Sequence, residues 1–137
     1  MTKPFSLTVQ KPWGYEIILT PKDTPFTGKL AHTSSGHRWS YQYHEQKKET
    51  IVLLEGEATL WIDDGSGEIK KIKMEEKKGY LIKPYVKHRL CADTDCLTLE
   101  VSTPEVGKTI RLEDDYNRGS ESEKERELRK EGVLYTG

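Results

Sequence analysis

Residues 36–56 read Gly36-His37-Arg38-Trp39-Ser40-Tyr41-Gln42-Tyr43-His44-Glu45-Gln46-Lys47-Lys48-Glu49-Thr50-Ile51-Val52-Leu53-Leu54-Glu55-Gly56. Two stretches of strand character, Arg38 to Tyr43 and Glu49 to Leu54, flank a short charged turn. Side chains alternate faces along a strand, so Gln42 and His44 point the same way and Glu49 re-enters at the start of the next strand. Three oxygen and nitrogen ligands can therefore face one interior. Trp39, Tyr41 and Tyr43 fall on the opposite face, where they are expected to pack against a second sheet or a partner subunit. If that face were exposed in a monomer, it would be a patch for a homodimer to cover.

Outward from this stretch, the chain keeps the same character. Tyr15 to Leu19, Lys29 to Thr33, Ala58 to Asp63, Glu68 to Met74, Tyr80 to Ile82, Lys87 to Cys91, Leu97 to Ser102 and Lys108 to Leu112 read as short strands. Turn signals separate them, the strongest being Asp63-Asp64-Gly65-Ser66-Gly67. About ten short strands with turns every 8 to 12 residues and no amphipathic helix before position 119 predict an all-β sandwich or barrel over residues 1–119. From Ser120 to Gly132 the chain is nearly all charged, acids early and bases late. The expectation for 120–137 is a charged tail, as a short terminal helix, with Val133 to Tyr135 as its only apolar cluster.

The 137 residues suit one domain. With 22 basic against 23 acidic residues, the charge balance argues against a general nucleic-acid or membrane-surface binder. No apolar run approaches the ~20 residues that span a bilayer, and Met1 to Gln10 lacks signal-peptide character, so a soluble cytoplasmic protein is expected. Cys91 and Cys96 are then expected to remain reduced.

A fourth candidate ligand, His88, lies far off in sequence. Gln42, His44, Glu49 and His88 offer one amide oxygen, two imidazoles and one carboxylate. That set suits a borderline divalent ion, zinc first, with manganese, iron, cobalt or nickel as alternatives, and it suits calcium poorly.

Gly36 to Gly56 resembles the first cupin motif, with Gln42 and His44 in the places of its histidine pair, then Glu49 and Gly56. Gly79-Tyr80-Leu81-Ile82-Lys83-Pro84-Tyr85-Val86-Lys87-His88 is similar to the second motif through Gly79, Pro84 and His88. Within cupins the sequence resembles the cupin domain of type II mannose-6-phosphate isomerases. The resemblance lies in Lys11 to Glu16, Ser40 to Glu49, Ile82 to Leu90 and Ile110 to Arg118, and Gln in the first ligand position is a feature of those isomerases. Three positions depart from the pattern: Thr50, Val86 and Asn117.

The resemblance implies a double-stranded β-helix (the cupin jelly-roll barrel), a divalent metal and a small sugar-phosphate substrate. It implies aldose-ketose isomerisation, in which metal stabilises enediolate charge. The alternatives are a non-catalytic sugar- or metabolite-binding cupin and an iron-dependent cupin dioxygenase. Arg118, matching the family's terminal arginine, would clamp an anionic oxygen. His37 and Lys83 are the candidates for proton transfer, being titratable and close in sequence to the ligand strands. Lys29, Lys87 and Arg89 offer phosphate contacts, although alternation opposite His88 places Lys87 and Arg89 outside.

Overall fold

The computed structural model describes residues 2–104 and 106–116, and these form eleven strands and no helix. In chain order they are β1 (Leu7–Lys11), β2 (Gly14–Ile18), β3 (Thr27–Thr33), β4 (Tyr41–His44), β5 (Glu49–Glu55), β6 (Ala58–Asp63), β7 (Lys70–Lys73), β8 (Gly79–Ile82), β9 (Lys87–Ala92), β10 (Cys96–Ser102) and β11 (Thr109–Glu113). The expected strands are all present with ends shifted by a few residues. β1 is additional, because Leu7 to Lys11 has too little apolar content to stand out until β2 pairs with it. The charged tail and its expected helix lie outside the described residues.

The strands form two antiparallel sheets, one ordered β1-β2-β3-β10-β5-β8 and the other β11-β4-β9-β6-β7. Strands distant in sequence lie side by side, as β10 does between β3 and β5, which is jelly-roll topology. The interior has two halves. One end is an apolar core containing Trp13, Trp39, Leu53, Leu60 and Leu90. The other end holds charged and polar side chains and is described below.

Two turns show how the sequence fixes the chain path. Asp63 Oδ1 accepts hydrogen bonds from Gly65 N (2.9 Å) and Gly67 N (3.1 Å), closing the expected hairpin between β6 and β7. Gly56, at φ +92°, ends β5 where a Cβ would collide with the Asp95 carbonyl oxygen, so only glycine meets both demands.

The alternation expected through Arg38 to Tyr43 breaks at its start. β4 begins only at Tyr41, and the irregular residues before it turn Trp39 inward, 5.6 Å from Trp13. There the indole Nε1 donates to Thr33 Oγ1 at 3.1 Å. Tyr41 is buried as well, and Tyr43 stacks on Tyr85. The three aromatics are therefore not one exposed stripe.

Candidate metal centre

The register of the β4/β9 pair places Gln42 directly opposite His88, and Thr109 on β11 lies opposite His44. Glu49 opens β5. Strand pairing thus brings residues from three strands in two sheets to one end of the barrel. His44, Glu49 and His88 are all buried, and their candidate ligand atoms lie within 4.8 Å of one another. Glu49 Oε1 is 3.3 Å from His88 Nε2, and Glu49 Oε2 is 3.6 Å from His44 Nε2.

Both imidazoles are aimed by their outer nitrogens. His88 Nδ1 lies 2.9 Å from the Val86 carbonyl, which can only accept, so Nδ1 carries the proton and Nε2 presents its lone pair to the interior. His44 Nδ1 is held 2.9 Å from Thr109 Oγ1. Such supports orient metal-binding histidines. His88 Nε2 is buried without a hydrogen-bond partner, an arrangement costly for a nitrogen with nothing to bind. The donor set, its convergence and this orphaned nitrogen fit a divalent ion. Gln42, half-buried, sits across from His88 on the neighbouring strand; its Oε1 accepts a hydrogen bond from Ser40 Oγ at 3.1 Å.

Behind the triad runs a row of charges that sequence reading missed. Lys47 Nζ lies 2.8 Å from both Glu49 Oε2 and Glu100 Oε2. Lys29 Nζ lies 3.5 Å from Glu100 Oε2 and 3.1 Å from Glu16 Oε2, and Lys11 Nζ is 3.7 Å from Glu16 Oε1. Every side chain in the row is less than a tenth exposed. Signs alternate across the sheet, so each charge faces an opposite one, as buried charges require. Burial pushes the Glu49 carboxyl up, but the neighbouring positive charge, the Lys47 ammonium foremost, outweighs it and holds the group well below the ordinary carboxylate range. Glu49 is therefore the anionic ligand a metal needs.

The sequence-nominated residues divide as follows. His44, Glu49 and His88 come together, with Gln42 adjacent. His37 is exposed in a turn, its Nδ1 near the Ser35 carbonyl and its ring stacked on Tyr116. Ala92 N donates to its carbonyl, four residues along β9 from His88 and hence about 13 Å of strand away. Lys83 is exposed, just after Ile82, the strand partner of Glu49. His37 thus stands away from the triad. Arg118 lies outside the described residues.

The expectation that Arg89 is exposed is corrected. It does point away from His88, but that outer face is roofed: its Nε donates to the Trp39 carbonyl at 2.9 Å, its guanidinium lies 5.5 Å from the Trp61 ring, and Asp115 stands 3.7 Å off. Arg89 is fully buried, whereas Lys87 is exposed. Asp115 itself is held by Arg38 through contacts of 2.7 and 2.9 Å. Lys29, expected as a phosphate contact, is engaged inside the barrel by Glu16 and Glu100. Cys91 and Cys96 are free thiols.

Comparison with solved structures gives the class. The capsular polysaccharide assembling protein CapF of Staphylococcus aureus superposes with a TM-score of 0.66 at 16% identity, over 79% of this chain and 32% of that one. Oxalate decarboxylase superposes with a TM-score of 0.69 at 17% identity, over 81% and 32%. KdgF of Halomonas sp. gives 0.58 at 15% identity, over 70% and 84%. These are cupin-fold proteins, and the chain has the cupin fold. It spans about a third of the CapF and oxalate decarboxylase chains and most of KdgF. Manganese(II) centres are described for the Bacillus subtilis oxalate decarboxylase. No family model matches the sequence, and no curated protein matches it. Among the described residues no helix is long and apolar enough to cross a membrane.

Proposed function

We propose that the chain is a divalent-metal cupin that isomerises a sugar phosphate between aldose and ketose. The observation that carries the metal half of this reading is the buried convergence of His44, Glu49 and His88, with His88 Nε2 left without a partner. The sugar-phosphate half is supported by the resemblance through Lys11 to Glu16, Gln42-Tyr43-His44 and Ile110 to Arg118. His44, Glu49 and His88 would hold the ion, with Gln42 as fourth ligand. When bound, the ion supplies Lewis-acid stabilisation of negative charge on a substrate oxygen.

The chain's own residues do the rest. Thr109 and the Val86 carbonyl keep the imidazole Nε2 atoms facing inward. Lys47 holds Glu49 Oε2 and keeps that carboxylate ionised and fixed. Burial of the triad keeps water off it and raises the worth of each charge contact. The test is direct: measure the metal content of purified protein, load it with zinc or manganese, and follow fructose 6-phosphate formation from mannose 6-phosphate. No turnover with any of the five candidate metals and several hexose phosphates would refute the isomerase reading.

One observation favours a second reading. His37 stands away from the triad, and Lys47 is engaged by two carboxylates, so a cupin that binds a sugar phosphate through its metal without turning it over also fits. Metal-dependent thermal stabilisation by the sugar phosphate without product would select it.

A further inference from the structure

On the outer face of the five-stranded sheet, strand register sets Arg89, Trp61 and Lys71 side by side across β9, β6 and β7. Arg38, bridged to Cys91 two residues along β9, joins them on the same face. The Trp61 ring thus has three cations around it, Lys71 Nζ at 4.2 Å from its centroid and the guanidinium carbons of Arg89 and Arg38 at 5.5 and 5.6 Å. Among the described residues, Asp115 is the one carboxylate paired with any of the three, and it is shared: 2.7 Å from Arg38 Nε and 3.7 Å from Arg89 Nη2. Glu113 acts on both arginines from beyond ion-pair distance. Nη1 and Nη2 of Arg89 are buried and donate no hydrogen bond among the described residues. Lys73, the next lysine of β7 on this face, is already taken by Asp93 at 3.2 Å and Glu57 at 4.0 Å. The centre of the face is left positive.

We propose that the chain's own acidic segment, Ser120 to Glu127, docks across this face and sets its carboxylates over Trp61. The segment starts beside the cluster, because Asp115 is held by Arg38 and Tyr116 stacks on His37 with ring centroids 6.5 Å apart. From Tyr116 to Glu121 the chain can span up to ~17 Å, while β9 and β7 are two strand spacings, ~10 Å, apart. The charges also match. Glu121, Glu123, Glu125 and Glu127 fall at every second position, so an extended chain presents all four on one side, with Lys124 and Arg126 on the other. A helix would send successive ones to opposite sides, since two residues turn it by ~200°. Arg89 cannot shed its proton, so its charge persists beneath Trp61 and needs more counter-charge than Asp115, shared with Arg38, supplies.

Carbodiimide cross-linking of the full chain tests this, because it joins a lysine amine to a carboxylate only at contact distance; mass spectrometry of the tryptic peptides reads the links. Lys73 and Asp93, 3.2 Å apart, are a built-in control. Lys71 is expected to link to one of Glu121, Glu123, Glu125 and Glu127. In an equal mixture of unlabelled and nitrogen-15 chains, each linked pair is expected to carry a single label. Changing those four glutamates together to glutamine is expected to raise iodide quenching of tryptophan fluorescence about twofold, because the anion then reaches the uncovered cations. The readout is local, since Trp61 is half-buried while Trp13 and Trp39 are buried. The control link without a Lys71 link to the segment would overturn the proposal, and so would unchanged quenching. Mixed-label peptides would overturn it in favour of a second copy's segment.

Discussion

Replacing Lys47 by methionine removes the only charge on that side chain while preserving most of its length. Its Nζ stands 2.8 Å from Glu49 Oε2 and 2.8 Å from Glu100 Oε2, with the lysine side chain 3% exposed and the carboxylates 1% and 7%. At an effective dielectric of about 20, each contact is worth about 6 kcal/mol of attraction, and desolvating the ammonium takes back several. Breaking such a buried arrangement from one side leaves two carboxylates facing each other and is expected to cost ~3–5 kcal/mol. That is a large share of the ~5–15 kcal/mol that holds a domain folded. The assay is urea unfolding in EDTA, read by circular dichroism. Lys47→Met should lose ~3–5 kcal/mol without metal and recover more of its stability than wild type on adding zinc, because the ion replaces part of the missing positive charge. Adding Glu100→Gln should restore part of the loss, making the double variant less damaged than the sum of the singles by at least about 1 kcal/mol. A loss below about 1 kcal/mol in EDTA, or strict additivity, would refute the view that Lys47 balances the charges behind the triad.

Glu49→Gln and His88→Ala should each abolish stoichiometric metal binding, measured by plasma mass spectrometry after dialysis, whereas Lys83→Ala should leave the metal content unchanged. Gly56→Ala should destabilise the fold by about 2–4 kcal/mol, since the new methyl meets the Asp95 carbonyl and the backbone is left-handed there; chemical denaturation reads the loss. Leu60→Ala, at a fully buried core position, should cost ~2–5 kcal/mol by the same measurement. Burial pushes the Cys96 thiol up to about 11 and raises that of Cys91, so neither should react with a thiol reagent at pH 8 in the folded protein, and both should react in denaturant.

Much of the barrel was legible because jelly-roll strands are local patterns. Ala58 to Asp63 alternates cleanly, and Asp63 to Gly67 carries its own turn chemistry, so these elements needed no context. The convergence of His44, Glu49 and His88 was also legible, for a related reason: His44 and Glu49 lie within one strand-turn-strand segment, and His88 follows its own Gly79 and Pro84. His37 was nominated by closeness in sequence, which is a poor guide in a sheet, because each residue along a strand moves a group about 3.3 Å and every other one turns it to the opposite face. Arg89 was assigned its face correctly and its exposure wrongly, since the roof of Trp61, Arg38 and Asp115 comes from three separate parts of the chain.

The sequence by itself determined where strands run and which residues of a strand share a face, because the period of two is built into extended backbone. It could not say which face turns inward. In Thr27 to Thr33, alternation pairs Lys29 with Ala31 and Leu30 with His32, and hydrophobicity alone would turn Leu30 toward the core. The tertiary structure turns Lys29 inward instead, because β10 lies beside β3 and brings Glu100 against it, while β2 supplies Glu16. A buried lysine is tolerable only when its counter-charges are delivered by other strands, and that delivery is a property of the assembled sheet.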